Sequence, residues 1–427
     1  MSASLRFVPW FCGLPCAPMT FEARGGRLAA SEGGCPTCRE EVALYREAKG
    51  RARATGRQVP AARAIEAAAG LLKRSRFPFV FGLSRSSSST AVRAVRLASA
   101  FGAAIDVEGA ERIQSDFATL STFGLPSATF GEIRDRADLL LLWRCDPRTS
   151  HPDLFARRAR APRDGARRVV LLPPPGGSGA PADRILRFEA ASDLDTALAL
   201  REFASGRAPG GDGPDRARDD PLGEVASWLR GARYSAIVWD ANTAASPQGL
   251  AIISALTLLA RDLNAVTRSV ARPLGAGGNV AGAVAALAAL TGYPRAVGFA
   301  AGTPRFAAGE FDASRMLAPD GADVLVLVGA LSVEAAHKNN DASGGPRRAV
   351  RGRRRPDRRI VVIGPRLPHG VDDPDIWIPT ATPGLSSGGT AARSDGVTVV
   401  LKALVKTRLP SEDDVLDRLL ERCAARP

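Results

Sequence analysis

The chain has 427 residues, an apolar share of 45% and a net charge of +14, carried almost wholly by arginine. That length holds two or three domains with real cores, and it lacks any uncharged apolar run of the roughly 18 residues a membrane-spanning helix needs. The N-terminal MSASLRFVPWFCGLPC has neither the long apolar core nor the small-residue site of a secretory leader, so the expectation is a cytoplasmic protein away from membranes.

Four of the six cysteines fall before residue 40, which reads as a metal site rather than a disulfide framework. The basic excess has two readings. One is the composition of an arginine- and alanine-rich, GC-rich coding sequence, and the other is attraction of a polyanion. Few aromatics interleave with the basic residues and no nucleic-acid motif occurs, so nucleic acid is not an expected partner.

In chain order, Cys12 and Cys16 form C-x3-C, and Cys35 and Cys38 form C-x2-C. Residues 20–28 between them read as a hairpin turning at Arg24-Gly25-Gly26. Two thiolate pairs at the ends of a hairpin can meet around one tetrahedral ion, a pattern close to that of zinc sites. Residues 40–76 read as surface helix interrupted at 56–60. Residues 77–81 read as a strand, 84–90 as a polar turn with Ser88, Ser89 or Thr90 as helix cap, and the next helix carries a polar stripe of Thr90, Arg93, Arg96 and Ser99.

Strands are expected at 139–143, 169–172, 235–240, 324–328 and 360–363, and helices at 193–203, 249–263 and 411–423. Residues 205–221 are nearly free of apolar side chains and read as a flexible connector. Alternation of this kind argues a parallel sheet covered on both faces, with ligands outside the carboxyl ends of its strands. That places a large ligand site between Gly82 and His151. Gly275, Gly277 and Gly278 precede a helix starting near Asn279. This is a weak phosphate signal, and close backbone packing is the commoner reason for such a loop.

Hydrolytic signatures are missing. His151, His337 and His369 form no H-E-x-x-H pair, and no G-x-S-x-G occurs. Cys145 reads as a packing residue and Asp146 as a turn residue, so no catalytic residue is assigned.

The stretch 79–152 carries GAAID, FGEIRDRAD and W-x-C-D-P-x-x-S-H-P. Residues 275–312 carry G-N-V-A-G-A, T-G-Y-P-x-A-V and G-x-P-R-(x)3-G-E-F, and 385–396 carry G-T-x-x-R-x-D-G. In these motifs and their spacing the chain resembles the B subunit of formylmethanofuran dehydrogenase, the catalytic subunit of that enzyme and a member of the molybdopterin oxidoreductase superfamily. The resemblance is greatest to the form found in bacterial formyltransferase/hydrolase complexes. It implies two Rossmann-like parallel-sheet domains of the molybdopterin oxidoreductase type plus a small N-terminal Cys-rich module. The expected boundaries are 1–55 for the module, 56–101 with 266–427 for one discontinuous α/β domain, and 102–265 for the other, with the connector at 205–221 inside it.

The resemblance also implies what is missing. The family places a cysteine or selenocysteine followed by histidine shortly after GAxID, as ligand to molybdenum or tungsten. Here that segment is VEGAERIQSDF, with Arg112 and Ile113 at those places. Neither molybdopterin nor molybdenum nor tungsten is therefore expected. The family's four-iron cluster uses a leading cysteine where this chain has Pro9, so Cys12, Cys16, Cys35 and Cys38 could hold zinc, stand as a metal-free relic, or hold iron–sulfur with Cys38 as a substitute ligand.

The function implied is that of a non-catalytic structural subunit of the formyltransferase/hydrolase complex, not an enzyme on its own. That complex releases formate from formyl-tetrahydromethanopterin by way of a furan carrier. The alternative is an active molybdopterin-dependent formylmethanofuran dehydrogenase. Implied partners are the hydrolase, formyltransferase and β-helical subunits. The arginine-rich run 347–359, with Arg351, Arg353, Arg354 and Arg355 at its centre, is either a solvated loop or a dock for the polyglutamate tail of methylofuran.

Overall fold

The computed structural model describes residues 4–24, 27–45, 51–151, 154–155, 167–174, 176–177, 182–189, 192–206, 220–333 and 358–424. The chain divides into two compact units, one of Met1–Gly13, Pro18–Glu111 and Gly277–Pro427, the other of Leu14–Ala17 and Arg112–Ala276.

The first unit is built on a nine-stranded sheet. Its middle five strands run parallel in the order Ala104–Val107, Pro78–Gly82, Val324–Val328, Arg359–Ile363 and Ile376–Ile378. Most of these are β-branched or aromatic apolar runs, as a strand buried on both faces requires. Both edges are antiparallel. Val297–Gly298 and Arg305–Phe306 close one side, and Ala52–Ala54 and Arg57–Val59 the other. The sheet is therefore mixed rather than wholly parallel, because each edge is supplied by strands joined through a short connection, and a short connection can only reverse direction.

The edge hairpin also corrects the helical reading of residues 40–76, which among the described residues holds for Pro36–Leu44 and Ala61–Arg74 and fails at Ala52–Ala54. The second of these is an amphipathic surface helix that buries Ala64, Ile65, Ala68, Ala69 and Leu72 along one stripe and exposes Arg63, Glu66 and Lys73.

Helix Ser88–Phe101 follows strand Pro78–Gly82. Its cap is Ser87, one residue before those expected, and its hydroxyl accepts the Thr90 N–H at 3.1 Å. Gly102 ends it in the left-handed conformation. Part of the polar stripe does not face water. Thr90 is buried, and the Arg93 guanidinium donates to Asp417 of the C-terminal helix Glu412–Ala424 at 2.8 Å. The unit also contains the antiparallel sheet Ser4–Phe7, Met19–Arg24 and Arg27–Gly33, and the pair Gly389–Ala392 with Thr398–Leu401.

The second unit has five parallel strands in the order Arg184–Ile185, Arg168–Leu172, Leu139–Trp143, Tyr234–Trp239 and Arg268–Pro273. Helices Asp193–Ala204, Pro221–Gly231 and Gly249–Leu263 bury Leu200, Val225, Ile253 and Leu256 against Leu141, Ile237 and the indole rings of Trp143 and Trp239. The expected connector at 205–221 is shorter at both ends. Ser205 is a helix C-cap and Pro221 already opens a helix capped by Asp220, while residues 207–219 lie outside the described residues. Among the described residues no helix is long and apolar enough to cross a membrane.

Candidate functional site

The four N-terminal cysteines converge. The hairpin Met19–Arg24/Arg27–Gly33 pairs Met19 with Gly33 at its open end, which brings the flanking residues Cys16 and Cys35 together. Cys35 stands at the N-cap position of helix Pro36–Leu44 and Cys38 lies in its first turn, where the helix dipole favours a thiolate. All four are buried and their sulfurs lie within 4.8 Å of one another, which makes them the one such ligand group among the described residues. Four buried sulfurs at this spacing fit a thiophilic ion in tetrahedral coordination. Glu41, on the same helix, accepts from Arg85 at 3.0 Å and Arg366 at 2.8 Å, and so ties the cluster to the loops above the nine-stranded sheet.

The glycine loop is occupied by packing. The N–H of Gly278 donates to the Phe11 carbonyl at 3.0 Å, and that of Asn279 to the Ser84 carbonyl at 2.9 Å. A Cβ on Gly278 would stand 2.2 Å from the Ser84 oxygen, so only glycine fits. These donors are spent on the chain's own backbone and are not free for a phosphate. The Asn279 side chain donates to the Ser86 carbonyl at 3.0 Å and accepts from the Ala392 N–H at 2.7 Å. It thereby joins three of the motif segments.

Two acidic residues at the end of strand Ala104–Val107 act the same way. Asp106 is buried and accepts from Arg295 at 2.8 Å, from the Val107 and Ala313 N–H groups at 2.9 Å and from Ala296 at 3.2 Å. Glu108 accepts from the N–H groups of Leu331 and Ser332, both at 2.9 Å, and from the Ser84 hydroxyl. Both carboxylates are fully answered by structural donors.

The segment that follows carries no cysteine or histidine. Arg112 lies in the 3-10 turn Ala110–Ile113 and donates to Asn242 Oδ1 at 3.0 Å. The Ser115 hydroxyl donates to the Ala244 carbonyl at 2.7 Å, and buried Asp116 accepts from the Trp239 indole at 2.8 Å. Burial pushes the Asp116 carboxyl up to about 7. No thiol or imidazole occurs in this stretch, and its donors to a soft metal are therefore nil. These residues do not fit a molybdenum or tungsten ligated by cysteine, selenocysteine or histidine, and the Ser115 hydroxyl and Asp116 Oδ1 are engaged within the fold.

In the second unit a cavity of about 730 Å³ opens at the carboxyl ends of Leu139–Trp143 and Tyr234–Trp239. These adjacent strands are not consecutive in the chain, so this is the topological switch point of the sheet, where ligand crevices form. The expected site between Gly82 and His151 is corrected in one respect: those residues follow strands of two different sheets, one in each unit.

The cavity is lined in part by Arg144, Cys145, Asp146, Asp240 and Asn242. Arg144 has φ +53° and is held by Asp193 at 2.6 Å and by the carbonyls of Pro173 at 3.1 Å and Phe188 at 2.8 Å. Burial, and then the charges of Asp240 and Asp146, raise the Cys145 thiol well above its ordinary pKa, which disfavours the thiolate. Asp146 caps the short helix Pro147–Ser150 and pairs with Arg148 at 2.8 Å, in keeping with its reading as a turn residue.

Arg351, Arg353, Arg354 and Arg355 lie outside the described residues, as does His337. The end of that run is described and is not free for an anion. Arg358 is buried with its guanidinium on the carbonyls of Leu317, Ala318 and Ala322, and Arg359 pairs with Asp375 at 2.9 Å. Sequence reading missed Glu108, Asp116, Asp193 and Glu412, whose partners are distant in the chain.

No protein-family model matches the chain. It is 25% identical over 433 residues, 96% of each chain, to the B subunit of the tungsten-containing formylmethanofuran dehydrogenase 2 of Methanococcus maripaludis. It is 28% identical over 364 residues to the protein of the same name from Methanocaldococcus jannaschii, covering 83% of this chain and 80% of that one. With the B subunit of the formyltransferase/hydrolase complex Fhc of Methylorubrum extorquens it shares 31% identity over 280 residues, 63% of this chain and 71% of the relative. Among solved structures, a chain of the M. extorquens formyltransferase/hydrolase complex FhcABCD bound to methylofuran superposes with a TM-score of 0.71 at 26% identity, over 87% of this chain and 98% of that chain.

The cysteine cluster generates a direct expectation. The purified chain should carry about one zinc per copy and be colourless, and the double variant Cys16→Ser/Cys35→Ser should lose the metal. Elemental analysis with an absorption spectrum checks this. A brown protein with iron and sulfide would replace zinc with a cluster, and a metal-free protein would leave the site a relic.

Proposed function

We infer the function from one premise: the chain belongs to the family formed by the B subunits of formylmethanofuran dehydrogenases and formyltransferase/hydrolase complexes. Within that family we propose that it is a non-catalytic structural subunit of a formyltransferase/hydrolase complex, built on the paired domains of molybdopterin oxidoreductases and located in the cytoplasm. The complex moves a formyl group from a tetrahydromethanopterin carrier to a furan carrier and releases it as formate. Transfer and hydrolysis belong to sister subunits, and this chain supplies surfaces that hold them together.

The observation that carries the reading is the segment after Asp106. Where the redox members of the family need a metal ligand, this chain puts Arg112 against Asn242 and Asp116 against Trp239, while the motifs that build the surrounding fold are kept. The likeness to the methylofuran-bound FhcABCD chain supports the same assignment. The tungsten-containing relatives favour the alternative of an active dehydrogenase by name, and the ligandless segment argues against it. Four thiolates around zinc would hold the N-terminal segment in place and supply no redox chemistry.

Arg351, Arg353, Arg354 and Arg355 serve in this proposal as an electrostatic dock for the acidic tail of the furan carrier. Attraction would reach over roughly a Debye length, about 8 Å at physiological salt.

Two experiments test the proposal. Tagged at its terminus, the chain should co-purify with the hydrolase, the formyltransferase and a β-helical companion, and its deletion should disperse them. A chain that runs alone while the others stay assembled and active would refute the scaffold. Replacing Arg351, Arg353, Arg354 and Arg355 by serine should raise the KM of the complex for carrier-bound substrate at low salt, leave kcat nearly unchanged, and matter less as salt rises. Unaltered KM at low salt would return the run to a solvated loop.

A further inference from the structure

The least satisfied polar group of the first unit is Glu412. It is 2% exposed, and neither carboxyl oxygen has a hydrogen-bond partner. Among the described residues no lysine or arginine pairs with it, although it stands in the first turn of helix Glu412–Ala424 beside two acids that are fully matched. Asp413 accepts from the hydroxyls of Ser89 and Thr90, each at 2.6 Å, and pairs with Arg93 at 3.3 Å. Asp414 and Ser411 cap each other, with the Ser411 hydroxyl donating at 2.7 Å and accepting the Asp414 N–H at 3.1 Å. The positive end of the helix is thus already answered without Glu412.

What surrounds the orphan carboxyl is oxygen. Glu412 lines a cavity of about 190 Å³ together with Ser87, Thr90, Ser387, Ser411 and Asp413. Burial raises its pKa, and the nearby hydroxyls of Ser86 and Thr90 only partly oppose that rise; neither meets it in full hydrogen-bond geometry, and Ser86 Oγ is itself buried without a partner. Ser86 Oγ and Glu412 Oε1 lie 2.2 and 3.1 Å from the position a Cβ would take on Gly329, so the two orphans share one small space at the end of strand Val324–Val328. The Thr380 hydroxyl, also an orphan, belongs to the same end of the sheet: its neighbour Ala381 donates its N–H to the carbonyl of Pro410 at 2.9 Å.

A buried carboxylate left like this costs free energy unless a proton, water or cation answers it. An anion is excluded by two carboxylates in one small cavity. A ring of hydroxyls with a single uncompensated carboxylate has the chemistry of a hard cation of low charge, since oxygen donors select such ions and one negative charge balances one positive.

We propose that Glu412, with Ser86 and the hydroxyls around the cavity, forms a binding site for a monovalent metal cation, potassium or sodium. The ion fastens the C-terminal helix to the carboxyl end of the nine-stranded sheet. The inference stands on this cavity alone and is independent of the family reading.

The test is made on the full chain in its native assembly at pH 8.5, because burial pushes Glu412 up to about 8 and the carboxylate must be populated. At equal ionic strength, potassium or sodium chloride should raise the thermal midpoint by about 2–4 °C over choline chloride, and Glu412→Gln should abolish the difference. Crystals grown in rubidium chloride should show an anomalous peak within coordination distance of the Glu412 carboxyl. Equal midpoints in all three salts together with no rubidium peak would overturn the proposal and leave a protonated acid. A rise that survives in Glu412→Gln, or one given by magnesium or calcium and not by the monovalent ions, would also overturn it.

Discussion

The carboxylate of Asp106 is the contact on which the first unit depends. It sits at the end of a parallel strand, pairs with Arg295, and receives the backbone N–H groups of Val107, Ala296 and Ala313. One side chain thereby fixes the strand end, the antiparallel edge and the turn before helix Ala313–Met316. Breaking such a pair from one side leaves a buried charge unanswered, at a cost of about 3–5 kcal/mol. Two residues on, Glu108 pins Ser84, Leu331 and Ser332 in the same manner. Buried acids thus tie the end of strand Ala104–Val107 to the segments around it, their lone pairs spent on the fold.

This changes what the motifs mean. GAAID, T-G-Y-P-x-A-V and G-N-V-A-G-A are signatures of a cofactor-dependent family, yet here each resolves into packing. Asp106 meets Arg295, Gly278 meets the Ser84 carbonyl, and Asn279 meets Ser86 and Ala392. A chain can lose its reaction centre and keep all of these, because they hold the sheet and its loops whether or not chemistry takes place beside them. Fold and motif can therefore persist independently of the chemistry beside them.

Much of the architecture was legible because it is written locally. LLLLW at 139–143, VLVLV at 324–328 and the helical spacing at 249–263 coincide with observed elements, since continuous apolar runs and a 3.6-residue stripe depend on little else. The hairpin Ala52–Val59 was not legible. Its arginine and alanine favour helix, and what makes it a strand is pairing with Ile376–Ile378, far along the chain. The cysteine cluster was readable from spacing and from the hairpin between the pairs. Glu412 was not, because an acid in the first turn of a helix is ordinary, and only burial without a partner sets it apart. Arg358 and Arg359 read as part of one basic run, yet carbonyls and Asp375 hold them within the fold.

The central claim is that the scaffold survives without the reaction centre, and metal content tests it most directly. The intact assembly, purified in a state that releases formate from the formylated pterin carrier, should contain molybdenum and tungsten at far below one atom per copy of this chain and should not reduce a dye with the formylated furan carrier. One atom of either metal per chain, accompanied by pterin and by dye reduction, would contradict the account, because it would mean that a segment with Arg112 and Ile113 in place of ligands still hosts the redox centre.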